Sequence, residues 1–429
     1  MKRQWPPQDA VFWYLNRQHA GAPCRGSHTV DVVIIGGGIA GLAAAQAWQQ
    51  RGKRVLLVEQ YFCGSGATGK SSGFITPNAE LSLTDFIQRY NATVAHTIWQ
   101  LISSGVDDIR NNIIEHHIAC DYLPQDTLVV ATSNRGLAEL TTEYQHLAAI
   151  GYATSLYNKE ELRQQIGSCA YYGGLQYANT FGINGYLYCQ AMKTVLQQQG
   201  VLIFEGTAVT AIDLAADNHK QATITADFVI ICTDRFMPDL GLLTDDVYHA
   251  QTFLMISQEL TEAEIRTIFP TKNLMVWDTE FIYNYFRATG DNRLLVGGGS
   301  LLTTYASKPT HDYAPIFRRL TAYLADKFPA VSLQFEQQWP GLIGISKDIG
   351  PIAGQDKNKP YWYYITAAAG LPIAAALGRY SAEHILDGRT DLDPYLSPYR
   401  SFPISGITQK IIGTKAAFAL SNLLKKNVP

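Results

Sequence analysis

The sequence predicts an α/β chain, α+β overall, in which a discontinuous βαβ-type domain is interleaved with a second, mostly antiparallel β domain. Three observations predict it. The stretch VDVVIIGGGIAGLAAAQAWQQRGKRVLLVEQ runs as apolar strand, glycine cluster, helix, glycine stop and second strand. The middle of the chain holds β-patterned segments with no helices between them. Near the end, the chain returns to an apolar strand, YYITAAAG, followed directly by a helix.

The elements follow in order. Lys2 and Arg3 open the chain, but Pro6, Pro7, Gln8 and Asp9 interrupt any apolar run of signal-peptide length. After the first βαβ unit, Tyr186 to Gln199 reads as a helix stopped by Gly200, then strand-like VLIFEGTAVTAI and the apolar strand TADFVIICT extend the same domain. TLVVAT, YHAQTFLMIS, FIYNYFRA and RLLVGGG make up the β-rich layer, with Gly290, Asp291 and Asn292 at a turn. A helix around His311 to Phe328 precedes the returning strand, and the last predicted helix runs from Leu371 to Leu386 before Gly388. The boundaries drawn are 28–104, 183–246 and 338–400 for the nucleotide-type domain, 105–182 and 247–337 for the second domain, and 401–429 for a tail.

Composition excludes several classes. With 429 residues, 47% hydrophobic and 17% charged, the chain can bury a large core and fits two domains better than one or three. A net charge of -3 offers no basic footprint for nucleic acid. Six cysteines lie apart, with no Cys-x-x-Cys pair, which indicates reduced thiols and a cytoplasmic protein. His116 and His117 have no third ligand at metal spacing, so no metal is expected. The tail carries Lys410, Lys415, Lys425 and Lys426 and no acidic residue, but its apolar side chains share no clean helical face; a docked tail is favoured over membrane contact.

Gly36, Gly38 and Gly41 form Gly-x-Gly-x-x-Gly between a strand and a helix. The missing side chains suit a tight turn, close approach of a pyrophosphate, and close helix-strand packing, with Ile39 and Ala40 opening the helix toward the phosphate charge. Glu59 ends the second strand 18 positions after Gly41, followed by Gln60, where an acidic side chain accepts hydrogen bonds from ribose hydroxyls. This is a Rossmann-type dinucleotide site. The acid disfavours a 2'-phosphate, so NADP is least expected, while FAD and NAD remain open.

A second motif follows at once. In YFCGSGATGKSSGFITP, Gly64, Gly66, Gly69 and Gly73 permit backbone approach, and Ala67, Thr68, Lys70, Ser71 and Ser72 form a small, donor-rich loop suited to an extended stretch of cofactor. On these motifs the sequence resembles the D-amino-acid oxidase superfamily of FAD enzymes, over about Asp31 to Gly388, and the leader FWYLNR resembles its gamma-glutamylputrescine oxidoreductase branch. The resemblance implies FAD, with Val209 contacting adenine through its backbone, Cys232 and Thr233 at a small-residue position near the cofactor, Asp348 in the ISKDIGPIAG segment, and Gly370, Leu371, Pro372 and Ile373 opening a helix toward the flavin pyrimidine edge. Family members with covalent flavin carry a histidine or cysteine where this chain reads GATGKSS and ISKDIGPIAG, so the FAD is expected to be non-covalent.

The resemblance also implies the chemistry: removal of a hydride from a carbon bearing an amino group, with the cofactor carrying the hard step. Ile343 stands where glycine oxidase and D-amino-acid dehydrogenases place a carboxylate-binding arginine, which favours an amine or N-substituted amine over a simple amino acid. Leu295 stands where sarcosine oxidase carries an oxygen-activating lysine, leaving the acceptor open between O2 and a quinone or other carrier. Substrate-pocket candidates are Asn284, Tyr285 and Arg287; alternation places Tyr283, Tyr285 and Arg287 on one face of their strand and Asn284 and Phe286 on the other, and does not say which face lines a pocket. The alternatives are a D-amino-acid dehydrogenase or oxidase, and a flavin-bound assembly protein without catalysis on the same fold.

Overall fold

A computed structural model describes residues 11–15, 21–78, 80–212, 222–280, 282–299 and 313–424. Its first sheet has six strands, ordered Ile352–Gln355, Trp362–Thr366, Ala222–Ile231, Gly26–Ile35, Val55–Val58, Leu202–Phe204. All neighbours run parallel except the edge pair Ile352–Gln355 and Trp362–Thr366. Val32 to Ile35 and Val55 to Val58 are buried throughout, which is what a parallel sheet covered on both faces asks of its strands. Ile35 pairs with both Val58 and Ile231, so the three strands end together and their following loops meet at one edge.

Helices Ile39–Gln50 and Leu371–Leu386 pack on this sheet and on each other. Small residues allow it. A Cβ on Gly378 would fall 2.3 Å from the Ala40 carbonyl oxygen, and one on Gly41 would fall 1.9 Å from that of Gly36. Gly41 thus has the helix-strand packing role the motif predicts.

The second sheet has eight strands, in the order Phe335–Ser346, Val247–Glu259, Arg293–Gly298, Tyr285–Ala288, Met275–Asp278, Thr127–Val130, Gly173–Tyr177, Thr154–Asn158. It is antiparallel apart from Thr127–Val130 beside Met275–Asp278. A three-stranded piece, Phe74–Ile75, Phe181–Gly182 and Leu123–Pro124, lies where the chain leaves the second glycine loop.

Three sequence expectations need correction. Residue 338 falls inside a strand that pairs from Val247↔Ser346 to Ser257↔Phe335, so the second sheet continues past that boundary. Strand structure after Leu202 stops at Phe204, because Gly206 turns at φ +65° and Gly206 and Thr207 donate their N–H groups to Tyr61 and Glu59 carbonyls instead of to a neighbouring strand. In FIYNYFRA only Tyr285–Ala288 is strand; Asn284 N–H donates to the Asp278 carboxylate and closes a turn, and Phe281 lies outside the described residues.

The tail is docked as far as it is described. Helices Gly406–Ile412 and Thr414–Leu424 follow each other, and Phe418 is fully buried against Tyr248, Ala250 and Ile345. Gln409 donates to the Asp245 carbonyl at 3.0 Å. Lys425 and Lys426 lie outside the described residues. Among the described residues, no helix is long and apolar enough to cross a membrane.

Candidate functional site

The C-terminal edge of the first sheet opens into a cavity of about 1990 Å³ whose other walls come from the second sheet. Small-molecule sites run to about 1,000 Å³, so there is room here for a dinucleotide and a second molecule. Gly36, at φ +113°, turns the chain out of the first strand, and a Cβ there would strike the Cys232 carbonyl at 2.5 Å. Gly38 differs. A Cβ on it would meet only Thr68 Oγ1, at 3.3 Å, and would project into the space a pyrophosphate needs. Gly38 is also the N-cap of Ile39–Gln50 and has no side chain to cap it; Ile39 N–H donates to Thr68 Oγ1 at 3.2 Å, and the positive end of this twelve-residue helix is presented to the cavity.

Glu59 sits beside this cradle. Its carboxylate accepts Gly37 N–H at 2.7 Å, Tyr61 N–H at 3.0 Å and Ser65 Oγ–H at 3.3 Å, while burial holds its acidity below the ordinary value by raising its pKa. Gln60, Ala40, Ile39 and Val209 line the same end.

The second loop is held by its carbonyls. Tyr14 Oη donates to Gly64 and Ser65, Trp339 Nε1 to Lys70, Trp13 Nε1 to Ser71 and Arg287 Nε to Ser72, at 2.7 to 3.1 Å. With its carbonyls taken from behind, the loop turns Ala67, Thr68, Lys70, Ser71 and Ser72 toward the cavity. The Cα faces of Gly69 and Gly73 are packed instead: Cβ atoms there would fall 2.0 Å from the Gly64 oxygen and 1.8 Å from the Ile183 oxygen, and neither residue lines the cavity.

At the far wall, Gly370 at φ +126° caps Leu371–Leu386 without a side-chain hydrogen bond, so a second helix N-terminus faces the same cavity. Gly370, Leu371 and Pro372 line it, whereas Ile373 is packed in the core. Cys232 and Thr233 line it between the two helices, and burial raises the Cys232 thiol pKa well above its usual value.

Sequence reasoning misjudged three residues. Arg287 is fully buried and spends its guanidinium on the carbonyls of Ser72, Ile183 and Ala288, so it braces the cofactor loop and does not line the cavity. Asn284 points to the other side of its turn, donating to Asp278 Oδ2 and accepting from Arg319. Asp348 lies behind the wall, where it pairs with Arg400 at 2.8 Å and accepts from Ser346 and Gly350; Ile349, at φ +60°, is the residue of that turn that lines the cavity. Tyr285 does line it, with Tyr283 from the preceding turn, whereas Arg287, on the same face of the strand as Tyr285, does not.

Four residues were missed. Trp13, Tyr14 and Trp339 are buried aromatics whose polar atoms hold the loop, a role only their donors could have signalled. Asp234, at φ +48°, accepts Gly344 N–H at 2.7 Å and Ala367 N–H at 3.2 Å and so ties the second sheet to both ends of the cofactor wall. Burial raises its pKa, against the N–H groups that lower it.

Two helix N-termini facing one cavity, a glycine cradle that a side chain would fill, an acid for ribose and a donor-rich loop between them fit an extended dinucleotide carrying a flavin. Comparison with known proteins agrees. Residues 31–384 match the family model of FAD dependent oxidoreductases, and the chain belongs to that family. A probable oxidoreductase, OrdL, of Haemophilus influenzae is 26% identical over 83% of this chain and 83% of its own. Gamma-glutamylputrescine oxidoreductase of Escherichia coli is 25% identical over 88% of each. Glycine oxidase from Geobacillus kaustophilus shares the fold at a TM-score of 0.72 and 19% identity, covering 87% of this chain and 100% of that one. L-Proline dehydrogenase from P. horikoshii does so at 0.72 and 18%, covering 87% and 98%. The protein is an FAD-dependent oxidoreductase.

Proposed function

We propose that the protein oxidises the carbon bearing the amino group of a small amine or N-substituted amine that lacks an α-carboxylate. The observation that carries this reading is what stands at two candidate positions of the pocket, Ile343 and Arg287. Ile343 lines the cavity as an apolar side chain, and Arg287 is consumed by three backbone carbonyls. The cations that line the cavity are otherwise placed, Lys70 in the second glycine loop, Arg135 paired with Glu139 and Arg235 over the Phe236 ring; a carboxylate held at Ile343 without a cation would cost several kcal/mol. The gamma-glutamylputrescine oxidoreductase of E. coli supports the same substrate chemistry.

Bound FAD supplies the two-electron acceptor. In this reading the first sheet with its helices holds it, without a covalent link, through Gly36, Gly38, Ile39, Ala40, Glu59, Gln60, Ala67, Thr68, Lys70, Ser71, Ser72, Val209, Cys232, Thr233, Gly370, Leu371 and Pro372. The second sheet positions the substrate. The chain's own residues then orient the C–H bond, exclude water and favour the unprotonated amine. Electrons leave to O2 or to a quinone or other carrier, and the six cysteines, none in a disulfide among the described residues, support a cytoplasmic setting. The test is anaerobic flavin reduction by matched pairs of amines and D-amino acids of similar length. Faster reduction by the amines is expected; faster reduction by the amino acids overturns the reading.

A further inference from the structure

One part of the cavity wall is left unexplained by cofactor binding. Phe74, Trp277, Tyr283 and Tyr285 all line it, and their rings touch in a closed circuit. Phe74 stacks on Trp277 at 5.8 Å between centroids, Trp277 meets Tyr283 at 5.9 Å, Tyr283 meets Tyr285 at 5.8 Å, and Tyr285 meets Phe74 edge-on at 5.9 Å. These residues come from the strand after the second loop, from Met275–Asp278, and from the turn and strand that follow it. A purely structural cluster would be covered by protein, yet Trp277, Tyr283 and Tyr285 are only half-buried and their remaining surface faces the cavity.

Two further features fit the cluster to a ligand. Tyr285 lies across Gly297, where a Cβ would fall 2.2 Å from the ring, so the bare backbone of the neighbouring strand sets the ring's orientation. Glu80 lines the same wall and accepts the Tyr283 hydroxyl at 2.6 Å. Burial, with the nearby Glu80 charge, raises the pKa of both tyrosines, so they are neutral phenols whose ring faces carry negative charge density. Aromatic faces beside a carboxylate attract a cation and repel an anion.

We propose that Phe74, Trp277, Tyr283, Tyr285 and Glu80 form a cation subsite that seats a second, non-reacting ammonium of the substrate. The preferred class is then a diamine, a longer polyamine or an N-alkylated counterpart. One amine is held charged on the aromatic wall while the other, uncharged, is presented for oxidation. This inference rests on the amine reading for the reacting end, and it adds a charge requirement at the far end.

The holoenzyme tests it with three substrates of equal length: 1,5-diaminopentane, 5-amino-1-pentanol and n-pentylamine, followed by anaerobic flavin reduction. The diamine is expected to reach half-saturation at about a tenfold lower concentration than the other two, the scale of a desolvated cation-π contact. Glu80→Gln, which keeps an acceptor for Tyr283, and Trp277→Leu should each raise the diamine's half-saturating concentration toward that of the amino alcohol, with flavin content retained. Tetramethylammonium provides a readout that needs no turnover: it should perturb the flavin absorption spectrum of the wild type and not that of Trp277→Leu. Equal half-saturation by all three amines, unchanged in Glu80→Gln, overturns the subsite and leaves the amine reading standing. Tetramethylammonium binding that Trp277→Leu abolishes, in a protein no amine reduces, supports the subsite and overturns the amine reading.

Discussion

At Gly38 a single hydrogen atom decides whether a phosphate can approach the backbone. The Cβ of any other residue would enter the cavity beside Thr68 Oγ1, so Gly38→Val is expected to yield protein without FAD, checked by the absorption of the purified protein near 450 nm. Glu59→Ala should weaken retention less, because it removes the ribose acceptor and the carboxylate that holds Gly37 N–H but puts no side chain into the phosphate space. Full flavin content in Gly38→Val would refute the cradle. Arg287 carries a different expectation now that its partners are known. Arg287→Met strands the buried Ser72 and Ile183 carbonyls and leaves Ala288 with the Gln125 amide alone, at a cost of about 2 kcal/mol or more. The melting temperature and FAD affinity should fall together, while discrimination between amines and amino acids among the remaining holoenzyme should not change.

Lys70 gives a dependence on pH. Burial, and then the nearby Arg235 charge, lowers its pKa from 10.5 to about 8. In the protein without FAD the neutral form is therefore favoured in the fold, and stability should rise as pH increases through the window from about 8 toward 10.5, where the unfolded chain still binds the proton. An anionic cofactor beside Lys70 reverses the preference and restores the charge. FAD binding should thus take up protons above pH 8, and the Kd measured by flavin fluorescence quenching should rise between pH 8 and 9. Lys70→Met should flatten that dependence, and an unchanged slope would remove Lys70 from the cofactor's surroundings.

At the scale of elements, the loop from Gly64 to Gly73 is shaped from outside itself. Side chains from positions 13, 14, 287 and 339 hold its carbonyls, and none of these positions adjoins it in sequence. Trp13→Phe keeps an aromatic ring at the position but deletes the indole N–H and its hydrogen bond to Ser71, worth about 1 kcal/mol, so a several-fold rise in the FAD Kd is expected, with a smaller change in melting temperature. This explains what could be read from the sequence. The glycine motif, Glu59 and the helix at Leu371 announce themselves because their chemistry is local: a turn, a strand end, a helix start. Arg287 and Asp348 were misplaced because alternation and motif order assign a face or a neighbourhood, not a partner, and their partners lie 215 and 52 residues away. The aromatic circuit was half legible, since sequence alternation puts Tyr283 and Tyr285 on one side of the chain, but Phe74 and Trp277 join them only through strand order.

At the scale of the molecule, the two helix ends that face the cavity belong to segments more than 300 residues apart, and Gly378 is one of the contacts that set their separation. Gly378 meets the glycine helix where Ala40 and Ala43 pass: a Cβ there would lie 2.3 Å from the Ala40 oxygen and 2.9 Å from the Ala43 Cβ. Neither helix can yield alone. The glycine helix is fixed to its sheet through Gly41, and the later one is fixed through Gly105, whose own Cβ would fall 2.0 Å from the Pro372 oxygen. Gly378→Ala therefore has to push the helices apart, and overpacking of this kind costs about 1 to 3 kcal/mol. Because both N-termini move, FAD affinity should fall along with the melting temperature, although residue 378 itself does not line the cavity. Gly406→Ala is the control, since a Cβ there meets nothing within 4 Å. If Gly378→Ala lowers the melting temperature and leaves the FAD Kd at the wild-type value, the spacing of the two helix ends does not govern cofactor binding, and the cradle and loop suffice without it.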